Sequence, residues 1–131
     1  MKKRTPRKNL ERPHNMGLWT KSMFFGKIRQ VLRNGFRYYK PIQQALLDAR
    51  RPSESDNKKL KWEFQCAHCL KWFDRKSVEI DHKIECGSLK DWEDVVPFIQ
   101  KLTAEDPKMY QVLCKKCHKV KTEEYKKSKI D

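Results

Sequence analysis

At 131 residues the chain is long enough for one compact domain and an arm, and too short for two full domains. Apolar and charged residues each make up 37%, a lean core of the kind that needs a metal or disulfide staple. The formal net charge of +14 is unevenly spread: residues 1–60 carry 16 Lys/Arg against 4 Asp/Glu, and residues 61–131 carry 15 against 13. The first part therefore projects a positive field suited to phosphate backbones. No stretch approaches the ~20 apolar residues of a membrane span. The odd cysteine count, five, and the lack of a secretory leader argue against a disulfide framework. A reducing cytoplasm is the expected compartment.

In chain order, residues 1–17 hold many charges, two prolines and few apolar groups, and are expected to form a disordered basic arm. Residues 18–60 are expected to be a basic helical, DNA-binding segment. Thr20 or Ser22 can cap a first helix, whose apolar stripe is Phe24, Ile28, Val31 and Leu32 and which ends at Asn34-Gly35. Pro41 fits the first turn of a second helix with the stripe Ile42, Ala45, Leu46 and Ala49, closed by Arg50-Arg51-Pro52. Trp19, Phe24, Phe25, Phe36, Tyr38 and Tyr39 interleave the charges, which favours nucleic acid over a merely solubilising tail. Ser53 to Lys59 reads as a polar linker and a domain boundary.

The remainder, residues 61–131, alternates between short strands and helices, so the fold class is α+β. Trp62-Glu63-Phe64 alternates like a strand. In Val78-Glu79-Ile80-Asp81-His82 the pattern puts Val78, Ile80 and His82 on one face and Glu79 and Asp81 on the other. A helix is predicted over 91–102, short or kinked because of Pro97. A strand is predicted over 110–113 and a helix from Lys115 to about Lys127.

Two Cys-x-x-Cys knuckles, Cys66/Cys69 and Cys114/Cys117, have 44 residues between them. Two such knuckles can complete a tetrahedral four-thiolate zinc site, which leaves no open position and so is structural rather than catalytic. Binding the ion would supply folding free energy that the small core lacks. A redox dithiol or four free thiols would not explain the duplicated spacing. His68 is an alternative ligand of lower weight, and Cys86 is left over as a free thiol.

His82 follows Asp81 at a strand end between the knuckles, and His118 directly follows Cys117. A zinc ion joining the knuckles would bring His118 toward the strand carrying Asp81 and His82. One carboxylate and one imidazole can then hold a divalent cation, and the other imidazole is left as a general base. The plainer readings are a surface Asp-His pair and a helix-capping histidine.

The strings Val78-Glu79-Ile80-Asp81-His82 and Val112-Leu113-Cys114-Lys115-Lys116-Cys117-His118-Lys119-Val120-Lys121-Thr122 resemble the HNH endonuclease family. They are most similar to small HNH proteins of tailed bacteriophages, which share the Gly87-Ser88-Leu89 turn and the stretch Asp91-Trp92-Glu93-Asp94. The resemblance covers roughly residues 61–122. It implies a ββα-metal fold stapled by the four-cysteine zinc and preceded by the basic helices. It implies that Asp81 and His118 bind one catalytic divalent ion (Mg2+, Mn2+, Ni2+ or Zn2+) and that His82 is the general base. It further implies hydrolysis of DNA phosphodiester bonds to a 5′-phosphate and a 3′-hydroxyl, in phage DNA processing or packaging within a host cytoplasm. One position departs: Met109 stands where the family asparagine lies, five residues before the third cysteine, so a backbone carbonyl or another residue is expected to take its place.

Arg29, Arg33, Arg37, Arg50 and Arg51, with Lys115, Lys116, Lys119 and Lys121, are expected to contact phosphates of double-stranded DNA, positioning it without reading sequence. Such binding should weaken steeply with salt. Two other readings stay open. One is a non-catalytic zinc-stapled nucleic-acid-binding module. The other is an accessory subunit of a phage DNA-packaging motor, bound to terminase proteins, in which Trp92, Val95, Val96 and Phe98 dock a partner rather than fill the core.

Overall fold

The computed structural model describes residues 11–128. It is a mixed α+β chain with two small antiparallel sheets. The elements run α1 (Lys21–Gly35), α2 (Lys40–Asp48), β1 (Arg50–Pro52), β2 (Trp62–Gln65), β3 (Trp72–Phe73), β4 (Val78–His82), α3 (Val95–Leu102), β5 (Tyr110–Cys114) and α4 (Lys115–Ser128). Single 3-10 turns precede β4, α3 and β5.

The two leading helices start where local chemistry dictates. The Thr20 hydroxyl accepts the Met23 N–H and caps α1. Pro41 sits in the first turn of α2, where its missing donor costs nothing. The buried stripe of α1 is rotated from the expected one. Phe25 is fully buried among Cys86, Leu89, Phe98 and Leu102, with Phe24, Ile28 and Leu32 beside it, whereas Val31 faces solvent. The reason lies in the partner: α1 packs on α3 and the loop before it, and Phe25, Ile28 and Leu32 are the positions that share that face.

Part of the expected disordered arm, residues 1–17, is ordered. His14 and Trp19 close a tight turn through Asn15, Met16 and Gly17, all at positive φ. The His14 ring stacks on Phe24 at 3.9 Å, which holds the turn on α1. Residues 1–10 of that arm lie outside the described residues.

Arg50-Arg51-Pro52 does more than end α2. It forms the edge strand β1, paired antiparallel with β2 in the order β1-β2-β3. Pro52 is tolerated because it lies at a sheet edge. The expected linker of residues 53–59 is thus the loop of a hairpin. The Glu63 carboxylate fastens it by accepting from the Glu54 N–H at 2.9 Å and the Ser53 hydroxyl at 3.1 Å.

β4 and β5 form the second sheet, in the register Val78↔Cys114, Glu79↔Leu113, Ile80↔Val112, Asp81↔Gln111 and His82↔Tyr110. One face presents Val78, Ile80, Tyr110 and Val112 to α2, whose Ile42, Ala45, Leu46 and Ala49 cover it as the stripe predicted. The other face carries Glu79, Asp81 and Gln111 and meets α4. The region predicted as one helix over 91–102 is a 3-10 turn at 92–94 followed by α3, with Pro97 in the first turn of α3, where its lack of an N–H is harmless. Among the described residues no helix is long and apolar enough to cross a membrane.

Candidate functional site

The two knuckles converge. The Sγ atoms of Cys66, Cys69, Cys114 and Cys117 lie within 4.8 Å of one another, and those of Cys69 and Cys114 are 4.0 Å apart. Four thiolates about 2.3 Å from one zinc ion would stand about 3.8 Å apart, so the cluster fits a metal ion such as zinc. The backbone is arranged for thiolates. The Cys69 N–H points at Cys66 Sγ and the Cys117 N–H at Cys114 Sγ, both at 3.5 Å. Burial opposes ionisation of Cys66, but the N–H groups of Cys114, Cys69 and His68 outweigh it and bring its pKa to about 6. The Cys114 sulfur also accepts from the first turn of α4, so the second knuckle doubles as a cap for that helix. His68 is exposed, and it is not in the cluster. Cys86 is buried in the apolar core, where burial pushes its thiol above the ordinary value and keeps it protonated.

Because α4 starts at the knuckle, His118 is delivered to the polar face of β4. Its Nε2 lies 3.5 Å from Asp81 Oδ1, and its Nδ1 contacts the Glu79 carboxylate. With the proton on Nδ1 donated to Glu79, Nε2 presents a lone pair toward Asp81. A carboxylate oxygen and an imidazole nitrogen bound to one cation at about 2.1 Å stand about 3 to 3.4 Å apart, so this pair fits a shared divalent ion. Asp81 is 7% exposed. It accepts from Gln111 Nε2 at 2.9 Å and contacts the Lys121 ammonium, which also donates to the His82 carbonyl at 2.8 Å. Lys121 lies 3.6 Å from Glu85 as well. One turn past His118 on α4, it is therefore an internal partner of Asp81 rather than a free phosphate contact.

His82 is on the opposite face of β4, with Val78 and Ile80, and its side chain does not join those of Asp81 and His118. Its ring packs edge-on against Tyr110 at 4.9 Å, and its Nε2 lies 3.1 Å from the Leu102 carbonyl oxygen. A carbonyl can only accept, so Nε2 carries the proton and Nδ1 is the basic nitrogen. Burial, with the nearby Arg33 charge, pushes the His82 imidazole below its ordinary value, so it is neutral near pH 7. The Tyr110 hydroxyl donates to the carbonyls of Leu102, at 3.1 Å, and Ala104, at 2.8 Å, and so fixes the segment that orients His82. A backbone carbonyl, that of Leu102, thus holds the ring, while the Met109 carbonyl accepts from the Lys83 N–H at 2.9 Å and closes the strand end.

The arginines singled out from sequence sit on aromatic rings. Arg29 and Arg33 lie over Phe98, Arg37 over Tyr38, Arg50 over Trp62 at 4.0 Å and Arg51 over Trp72 at 3.8 Å. Arg51 also pairs with Glu63 at 3.2 Å, so its charge is already matched. The Glu54 N–H, with Arg51 and Ser53, holds the Glu63 carboxyl below the usual carboxylate range. Lys115, Lys116 and Lys119 are exposed on α4. Of the residues considered for docking, Phe98 is fully buried and Val95 packs beside it, whereas Trp92 and Val96 remain exposed.

Glu79, Leu102, Arg75 and Lys76 also stand at or beside these side chains, and their sequence context does not mark them as such. Glu79 was legible in part, because strand alternation already put it on the face of Asp81. Arg75 and Lys76 occupy the turn before β4, across a cleft from α1 and α2, and no sequence spacing signals that. No protein-family model matches the chain, and neither does any curated protein or solved structure.

Proposed function

We propose that the chain is a metal-dependent HNH endonuclease that hydrolyses DNA phosphodiester bonds, with a ββα-metal core formed by β4, β5 and α4. The observation that supports this reading most is the meeting of Asp81 and His118 at 3.5 Å beside the four-cysteine cluster. In this reading Cys66, Cys69, Cys114 and Cys117 hold a structural zinc ion. Asp81 and His118 hold a catalytic divalent cation, which when bound neutralises charge on the phosphodiester. Glu79 keeps His118 in the tautomer that can bind metal. Leu102 and Tyr110 orient His82; because it faces the other side of β4 from Asp81 and His118, its Nδ1 can take a proton from the attacking water only if the phosphodiester lies around the end of β4. The hydroxide oxygen bonds to phosphorus, the bond to the 3′ oxygen breaks, and that oxygen takes a proton from solvent. Exposed Lys115 and Lys119, with Arg29, Arg33, Arg37 and Arg50, hold backbone phosphates.

Nicking of supercoiled plasmid tests the assignment. His82→Ala should lower the rate by about a hundredfold or more, as removal of a general base does. Full activity in a pure preparation of that variant would sink it.

A second reading, a non-catalytic zinc-stapled nucleic-acid-binding module, draws support from one contact: the Lys121 ammonium already neutralises Asp81. Retained DNA binding with no nicking in Mg2+, Mn2+, Ni2+ or Zn2+ would favour it.

A further inference from the structure

A cleft of about 740 Å³ separates the α1–α2 corner from β4 and opens on His82 and Lys115. The accessible apolar lining of its floor is Phe36, Leu46 and Ile80, each half-buried, with the buried Val78 and Leu102 beside them. Its rim is cationic on both sides. Arg33 and Arg37 stand on the helical side, Arg75 and Lys76 come from the turn before β4, and Lys115 begins α4. Among the described residues none of these five cations is in an ion pair, unlike Arg51 and Lys121, although Arg33 and Arg37 lie over Phe98 and Tyr38 and Arg75 donates to the Val78 carbonyl at 3.1 Å. One carboxylate lines the cleft, Glu79, and it is engaged by His118. At the mouth Tyr38 is 71% exposed and Leu47 is 43% exposed.

Two requirements follow for an occupant. The rim calls for an anion with charges spaced along both walls. The floor calls for flat apolar surface. An intact duplex meets only the first, because its bases are stacked inside and it presents sugar and phosphate. A strand with unpaired bases meets both: its phosphates follow the cations and its bases lie on the floor and on Tyr38. We propose that this cleft binds an unpaired polynucleotide strand and feeds it to His82, so that the preferred substrate is single-stranded or branched nucleic acid rather than continuous duplex. The feeding role rests on the nuclease reading; the binding does not.

Binding is measured by fluorescence anisotropy on the zinc-loaded full chain without added divalent cation, so that no probe is cut. The probes are a labelled single-stranded DNA, an RNA of the same sequence and the blunt DNA duplex. Charge alone favours the duplex, whose phosphates are denser. The expected result is the reverse, single strand bound about fivefold or more tighter than duplex, through stacking in the cleft. Arg75→Glu combined with Lys76→Glu should weaken strand binding about tenfold and duplex binding less. Tyr38→Ala, at an exposed position that does not support the core, should weaken strand binding about fivefold or more. Duplex bound as tightly as strand, or strand binding indifferent to both variants, overturns the proposal. A preference for DNA or for RNA, or none, keeps it and identifies whether the sugar is read. Cleavage of the labelled single strand and nicking of plasmid, with divalent cation added to the same preparation, separate the two readings. Strand-selective binding without cleavage sinks the nuclease and keeps the cleft, and cleavage without strand preference does the opposite.

Discussion

Glu79 touches the ring nitrogen of His118 that faces away from Asp81, and that single contact decides which nitrogen is free. Carboxylates in this relation to a metal-binding histidine fix its tautomer and raise its basicity, and their loss typically costs 10–100-fold in metal affinity. Under the proposed nuclease function, Glu79→Ala is therefore expected to raise the divalent-ion concentration for half-maximal nicking by roughly 10–100-fold. Glu79→Gln, which keeps an acceptor oxygen, should recover part of the loss. An unchanged metal titration in Glu79→Ala would remove the residue from this role. Tyr110 invites a different measurement. Burial pushes its phenol up to about 12, against about 10 for a free tyrosine. A folded-state value above the unfolded one gives stability that is complete below about pH 10 and lost as pH climbs toward 12. Tyr110→Phe removes that titration along with the hydrogen bonds to Leu102 and Ala104. The variant should be less stable at neutral pH, and its stability should fall less between about pH 10 and 12. An identical alkaline slope in wild type and variant would show that the phenol does not titrate with folding.

At the scale of elements, the first knuckle carries a backbone cost. Leu70 follows Cys69 at φ 63°, with its N–H on the Cys66 carbonyl at 2.9 Å and its side chain 62% exposed. A branched residue in the left-handed region costs roughly 1–2 kcal/mol, and here little burial offsets it. Leu70→Gly should raise thermal stability by about 0.5–1 kcal/mol at constant zinc content, after the extra chain entropy of glycine is allowed for. A lower melting temperature would mean that Leu70 packs in a way its exposure hides. Elements with local signals were legible from sequence: Thr20 and Pro41 announce their helices, and the paired knuckles announce a four-thiolate cluster. Elements defined by a partner were not. Arg50-Arg51-Pro52 has no strand alternation and becomes β1 only because β2 offers a ladder. Val31 fits the helical period as well as Phe25 does, and only the position of Phe98 and Leu89 selects Phe25. At the site, Asp81 and His118 could be paired from their order around the cysteines. The Leu102 carbonyl could not be named, because a backbone group far along the chain leaves no trace in side-chain patterns.

Over the whole molecule, the cysteine cluster is the joint between the two sheets. Cys66 and Cys69 lie in the loop between β2 and β3, and Cys114 and Cys117 span the end of β5 and the first turn of α4. Among the described residues the Ala67 N–H also donates to the Val112 carbonyl at 2.8 Å, and Phe64, Phe73, Leu46 and Ala49 pack with Val78 and Val112. A chain this polar has little core to spare, so the free energy of metal binding is expected to be part of its folding free energy. Removing zinc with a strong chelator should therefore unfold the chain cooperatively, with loss of helix and sheet together in circular dichroism and one zinc released per chain. Cys66→Ser should behave as the chelated protein does and lose zinc and fold in one step. Because Cys114 Sγ caps α4, loosening there would reach His118 first, and under the proposed nuclease function nicking should fall at chelator concentrations no higher than those that unfold the chain. A zinc-free protein with an unchanged melting curve would show that the four cysteines are packed thiols, and would leave the approach of His118 to Asp81 to be carried by the β4–β5 sheet and α4 alone.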